Sequence, residues 1–266
     1  MKPVKLLSFI LLCLAIAGCR TVPKDQEHHW KAVLIPAKKT LPDPKKRVTT
    51  EGYFLYVATD SRGYDFSTAK GFIDTLKKPV QGDPEDVSVG HAWILTESPE
   101  DILECGHTGE FGILNPSYYD GMIGLVKKKD PNPISYLFTR MKDGKYHQGA
   151  DSHDPTYVAR IKISKKQHDD IRKFIKDYDY KIFALTDRQC SFFVAECMRI
   201  AGIDPAYEMK ISFPQIFYFR GIKVRVWTDP KYKTIAIGFP DSMETFSRLL
   251  VKKGLAEDAM KWYLEE

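Results

Sequence analysis

The 266-residue chain carries 40 Lys and Arg against 35 Asp and Glu, a formal net charge of +5. A chain this long can bury a substantial core as one domain. So slight a charge, with no basic patch interleaved with aromatics, argues against a nucleic-acid partner, and the run Lys127-Lys128-Lys129 reads as a solvated loop.

The first element is not part of the fold. Lys2 and Lys5 precede an apolar run from Leu6 to Ile16, and Ala17-Gly18-Cys19 follows, the layout of a cleaved export signal. The run is too short to span a bilayer comfortably. Removing residues 1–18 takes both lysines and leaves 248 residues with a charge of +3. Residues 19–51, with Pro23, Pro36, Pro42 and Pro44 and no sustained apolar period, read as a tether. The domain is expected over residues 52–266.

Within it, Tyr53 to Val57 is strand-like, and Val87 to Leu95 alternates with Val87, Val89, His91, Trp93 and Leu95 on one face. Thr96 to Asp101 is turn-prone, so Ile102 to Cys105 is expected to return as the second strand of a hairpin. Residues 106–156 read as loop-rich. Tyr157 to Ile163 alternates as a strand, and Ser164 with Gln167 forms a capping box for a helix to about Tyr178, buried along Ile171, Phe174, Ile175 and Tyr178. A second helix is expected from Cys190 to Ala201, closed by Gly202, with Phe193, Val194, Cys197 and Met198 on its inner stripe. Ile216 to Trp227 and Thr234 to Phe239 read as strands. Two short amphipathic helices, Met243 to Lys253 and Ala256 to Leu264, are separated by Gly254.

Of five cysteines, Cys13 falls in the signal and Cys19 at its end, leaving Cys105, Cys190 and Cys197. Three is odd, so at least one thiol stays unpaired within the chain. Cys190 and Cys197, seven residues apart on one helix, lie about 10 Å apart along its axis and cannot bridge. Cys190 stands at the first turn, where free backbone N–H groups and the helix dipole favour a thiolate and can stabilise an oxyanion; it is therefore expected to be the most acidic of the three. The same position also suits a small apolar residue opening a buried stripe, which is how Cys197 reads. A thiolate nucleophile needs a proton acceptor, and all seven histidines precede Cys190. His28 and His29 lie in the tether, His168 on an expected exposed helix face, and His147 and His153 among loop residues. His91 sits in a strand between the small residues Gly90 and Ala92, with room for a facing group.

The order Val89-Gly90-His91-Ala92-Trp93-Ile94, then Ile102-Leu103-Glu104-Cys105, then Tyr178-Asp179-Tyr180 ahead of Gln189-Cys190-Ser191-Phe192-Phe193-Val194, resembles the permuted branch of the NlpC-type papain-like cysteine hydrolases, an arrangement shared with lecithin retinol acyltransferase-like proteins. The resemblance covers roughly residues 52–220 and rests on three short motifs. It implies an α+β, circularly permuted papain-like fold, with an antiparallel barrel-like sheet packed on the nucleophile helix. It also implies Cys190 as nucleophile, His91 as base and Glu104 as the group orienting the imidazole, with no metal and no organic cofactor. If the Thr96 to Asp101 turn is tight, Glu104 lies nearly opposite His91; His107 and Asn115 are the other candidates for that role. The chain departs from the family in lacking its usual Gly-Asp-Ile opening strand, where Phe54-Leu55-Tyr56-Val57 stands instead, and in the long insertion 106–156.

Ile16-Ala17-Gly18-Cys19 likewise resembles the bacterial lipobox, which implies lipid attachment at Cys19, and Arg20 after it points to the outer membrane, facing the periplasm. The expected activity is a thiol hydrolase cleaving an amide or ester in the cell envelope. A peptidoglycan stem peptide is the favoured partner and a lipid acyl group the second. An acyltransferase, and a binding module that keeps the fold without the chemistry, are the alternatives.

Overall fold

A computed structural model of the chain describes residues 31–39, 41, 52–63, 90–109, 144–184, 186, 188–212, 215–219, 222–225 and 229–265. The export signal, Cys19 and Asn115 lie outside the described residues.

Strand β1 (Lys31–Leu34) is followed by β2 (Phe54–Asp60), β3 (His91–Glu97), β4 (Ile102–Gly109), β5 (Gly144–Gln148) and β6 (Tyr157–Lys162). Helices α1 (Lys165–Asp177) and α2 (Cys190–Ile200) come next, then β7 (Glu208–Ser212), the hairpin β8 (Ile216–Phe219) and β9 (Ile222–Arg225), and β10 (Thr234–Gly238). The chain closes with α3 (Pro240–Lys252), the two-residue β11 (Glu257–Asp258) and α4 (Met260–Glu265). The main sheet runs β11-β6-β2-β3-β4-β5 and is antiparallel at every pairing. Among the described residues it is an open sheet with β11 and β5 at its edges, and the expected barrel does not close. The result is a mixed α/β architecture, an antiparallel sheet packed against helices.

Period-two alternation decides what each sheet face carries. Leu55, Val57, Ala92, Ile94, Cys105 and Ile161 project to one side, where Ile171 and Ile175 of α1, Phe193, Val194, Cys197 and Met198 of α2, and Met243, Phe246 and Leu250 of α3 close the main core. Tyr56, Ala58, Trp93, Leu95 and Val158 project to the other side, under Met260, Trp262 and Tyr263 of α4. β2 is therefore buried on both faces, and its near-continuous burial follows.

The helices start and stop where local chemistry directs them. Ser164 Oγ accepts from Gln167 N at 3.2 Å while the Gln167 side chain accepts from Ser164 N at 2.9 Å, the expected capping box. After α2, Gly202 takes φ +84°, and the amides of Gly202 and Ile203 bond the carbonyls of Arg199 and Met198. After α3, Gly254 (φ +68°) and Leu255 do the same to Val251 and Leu250. Both are Schellman closures, which need a left-handed residue at that point.

Further expectations change. Part of the segment read as tether is a strand: β1 pairs with β7, which β10 flanks on its other side, and the amides of Lys38 and Lys39 bond Asp204 Oδ2 at 2.9 and 3.3 Å. Proline spacing marks where helix cannot form but says nothing of a short edge strand with a distant partner. His168, expected on an exposed face of α1, is buried instead, its ring 5.3 Å from that of Tyr53. The described strand around His91 begins at that residue and runs to Glu97.

Candidate active site

Helix α2 begins at Cys190. Its cap is Gln189, whose Oε1 accepts from Ser191 N at 2.6 Å and whose amide donates to the Gly238 carbonyl at 3.1 Å. A glutamine at this position is an unusual cap; here it ties the start of α2 to the end of β10. The Cys190 thiol is half-buried, 3.9 Å from the Ser191 hydroxyl, and is approached by the backbone N–H groups of Ala92, Ser191 and Cys190 itself. The donor from Ala92 brings the sulfur to the peptide that joins residues 91 and 92.

Gly90 (φ +81°) makes the start of β3 possible, because a Cβ there would lie 2.1 Å from the Asp60 carbonyl oxygen. The imidazole of His91 is almost fully buried and stacks against Trp93 and His153, with ring centroids 5.8 and 4.7 Å away. His153 donates from Nδ1 to Asp60 Oδ2 at 2.7 Å, and Arg62 also reaches that oxygen at 3.2 Å. The orienting contact comes from β5: His91 Nε2 lies 2.9 Å from His147 Nε2. His147 reaches it across β4 because the residue beneath, Gly106, has no side chain; a Cβ there would sit 2.3 Å from His147 Nε2.

The hydrogen bonds fix both tautomers. The other nitrogen of His147, Nδ1, lies 2.9 Å from the Gly149 carbonyl, which can only accept, so Nδ1 carries the hydrogen. A neutral His147 then offers a lone pair at Nε2, and His91 must donate to it from its own Nε2. His91 Nδ1 is left as a lone pair with no hydrogen bond among the described residues. The loop past β5 that sets this relay holds Asp151 and Ser152 at φ 51° and 63°. For non-glycine residues that costs about 1 kcal/mol or more each and is most often met at functional sites.

Burial pushes the pKa of His91 well below the usual histidine value, and the neighbouring His147, His153 and His107 add to the effect. His147 is lowered as well, by burial. Burial raises the Cys190 thiol, and the N–H and hydroxyl donors around it offset only part of that. Burial thus opposes the thiolate that the helix-terminal N–H groups favour. The other thiols are raised too, Cys105 to about 12 and Cys197 well above the ordinary value. All three cysteines are free.

Cys190 and His91 both lie near the N-terminal end of β3 but on opposite faces of the sheet, the thiol on the α2 side at the Ala92 amide and the imidazole on the face it shares with Trp93. No hydrogen bond joins them among the described residues. Glu104 is not brought to His91. The four-residue turn 98–101 sets Glu104 opposite Leu95, and its carboxylate instead accepts from the Trp93 indole at 2.8 Å and the Tyr263 hydroxyl at 2.6 Å. His107, the alternative, lies on the opposite face of β4, where its Nε2 donates to the Tyr180 carbonyl at 3.1 Å and its Nδ1 accepts from the Tyr178 hydroxyl at 3.2 Å. Burial lowers its pKa to about 4. The residue missed was His147, read as loop. β4 runs on through Gly106 to Gly109, beyond the expected strand end at Cys105, and a glycine inside a strand marks a close approach by another group. Among the described residues no group of three or more His, Cys, Asp and Glu side chains is disposed to hold a metal ion.

Comparison with family models, with curated proteins and with solved structures found no match for this chain.

Proposed function

We propose that this chain is a thiol hydrolase of the cell envelope, built on a permuted papain-like arrangement, with Cys190 as nucleophile, His91 as base and His147 as the residue that orients it. The observation that carries the reading is the relay from the Gly149 carbonyl through His147 to His91, together with a helix-terminal thiol that receives the N–H of Ala92, the residue next to His91.

In the proposed reaction Cys190 Sγ attacks a carbonyl carbon while its proton passes to His91 Nδ1. The oxyanion is held by the backbone N–H of Cys190. The imidazolium returns the proton to the leaving nitrogen or oxygen as the C–N or C–O bond breaks, leaving a thioester. Water, deprotonated by His91, then releases the acid and restores the thiol. The reaction requires the thiol and the imidazole to be brought together in the substrate complex.

The favoured substrate is a peptidoglycan stem peptide. The test is to incubate the chain with purified peptidoglycan and with phospholipid vesicles and to identify products by mass. Hydrolysed stem peptides, absent with Cys190→Ala, are expected. Deacylated phospholipid would keep the mechanism but replace the substrate, and no product from either would favour the binding module. The envelope location rests on Cys19, and Cys19→Ala should abolish lipid labelling and leave an unprocessed precursor; normal maturation of that variant would remove the anchor.

A further inference from the structure

On the face of the sheet opposite α1 and α2 lies a cavity of about 530 Å³ whose walls include Leu95, Ile102, Glu104, Gly149, Trp262 and Tyr263. Among the described residues Glu104 is the only charged one that lines it. Its Oε1 is held by two neutral donors, the Trp93 indole and the Tyr263 hydroxyl, and its Oε2 has no hydrogen bond among the described residues. Neutral donors fix a carboxylate in place without cancelling its charge, and a half-buried carboxylate without a cation favours one. The rest of the wall consists of the neutral polar Gln148 and Gly149, the Trp262 indole, anchored by stacking on Tyr56 at 4.4 Å, the Tyr263 ring, and the aliphatic side chains of Leu95 and Ile102. Ile102 is 47% exposed, a large apolar side chain left open to solvent.

We propose that this cavity binds a primary ammonium group carried on an aliphatic stem, as in a lysine-type side chain. The ammonium donates to Glu104 Oε2, the flanking rings add cation–π attraction, and the stem covers Leu95 and Ile102. An anion finds a carboxylate and no cationic partner. A neutral apolar group desolvates Glu104 without pairing it and is rejected on that account. The proposal does not rest on the thiol chemistry above, and its test does not measure turnover.

The test is to titrate the full chain with Nα-acetyl-lysine N-methylamide and with its neutral counterpart Nα-acetyl-norleucine N-methylamide, following tryptophan fluorescence and confirming by calorimetry. The lysine probe should saturate, with the norleucine probe at least about tenfold weaker, the discrimination of one charge-assisted hydrogen bond. Glu104→Gln should remove that preference. Ile102→Arg, a change at an exposed position, places a competing cation beside the carboxylate and should abolish lysine binding even if Glu104→Gln does not fold. Equal binding of the two probes to the wild type overturns the proposal. So does failure of the lysine probe to saturate by roughly 10 mM, a range that admits even weak single-anchor binding. Unaltered lysine binding by the folded Ile102→Arg chain places the probe elsewhere and overturns it as well.

Discussion

Replacing His147 with Ala should lower kcat/KM by about 10³- to 10⁴-fold, the scale seen when a catalytic imidazole loses the partner that fixes its tautomer. His91 would then divide between its two neutral forms, and the form with hydrogen on Nδ1 cannot accept the thiol proton. Gly106→Ala should reproduce much of the loss without touching either ring chemically. Its Cβ would meet His147 Nε2 at 2.3 Å and Trp93 Cβ at 3.1 Å, and His147 is held at both nitrogens, so it cannot give way and keep the relay. The cost in stability should be that of ordinary overpacking, about 1–3 kcal/mol. A pH profile separates orientation from damage. His91 acts as a base only when neutral, and with its pKa held well below the usual value the acid limb of the wild-type profile should fall well below pH of about 6.5. His147 is one of the neighbours that depress it, so the limb should move to higher pH in His147→Ala. If Glu104→Gln impairs turnover more than His147→Ala does, the orienting role returns to Glu104.

The parts of this site that were legible in the sequence are those set by local rules. A capping box at Ser164, glycine closures at Gly202 and Gly254 and the inner stripe of α2 depend on residues a few positions apart, and each is found where the pattern puts it. Gly90 and His91 carried a readable signal for the same reason. What the sequence hid depends on register and on strand order. Placing Glu104 opposite His91 required a turn length that the chain does not adopt: Glu97 pairs with Ile102, and the partner of Glu104 becomes Leu95. The orienting histidine arrives from β5, one strand further across the sheet, after an insertion whose length obscures that β4 and β5 are neighbours. The effect of burial on the Cys190 thiol was hidden for a different reason. A helix dipole can be read from position, whereas desolvation depends on what β3 and α2 bury between them.

The three thiols should react with iodoacetamide in the order set by exposure and by thiolate population, with Cys190 first by a wide margin. Cys105 and Cys197 are fully buried, and a thiol at about 12 holds only about one part in ten thousand as thiolate at pH 8, so these two should be labelled only on unfolding. Cys190 is half-buried, and it alone is approached by three backbone N–H groups and a hydroxyl. Its labelling midpoint should nevertheless lie above the free-thiol value of about 8.5, because burial has the largest effect on it. The His91→Ala variant decides what kind of pair the two residues form. In a thiolate–imidazolium pair the imidazolium depresses the thiol, and its loss would raise the midpoint. In the neutral pair there is no positive charge to lose. Removing the ring admits water beside the sulfur, relieves the desolvation that holds the thiol up, and should move the midpoint down towards about 8.5. Peptide mapping locates the label, and the rate against pH for wild type and His91→Ala gives the direction. A midpoint that rises identifies an ion pair and removes the general-base role of neutral His91. A midpoint that does not move separates the thiol from His91 altogether, and prior labelling of Cys105 or Cys197 denies Cys190 its place as nucleophile.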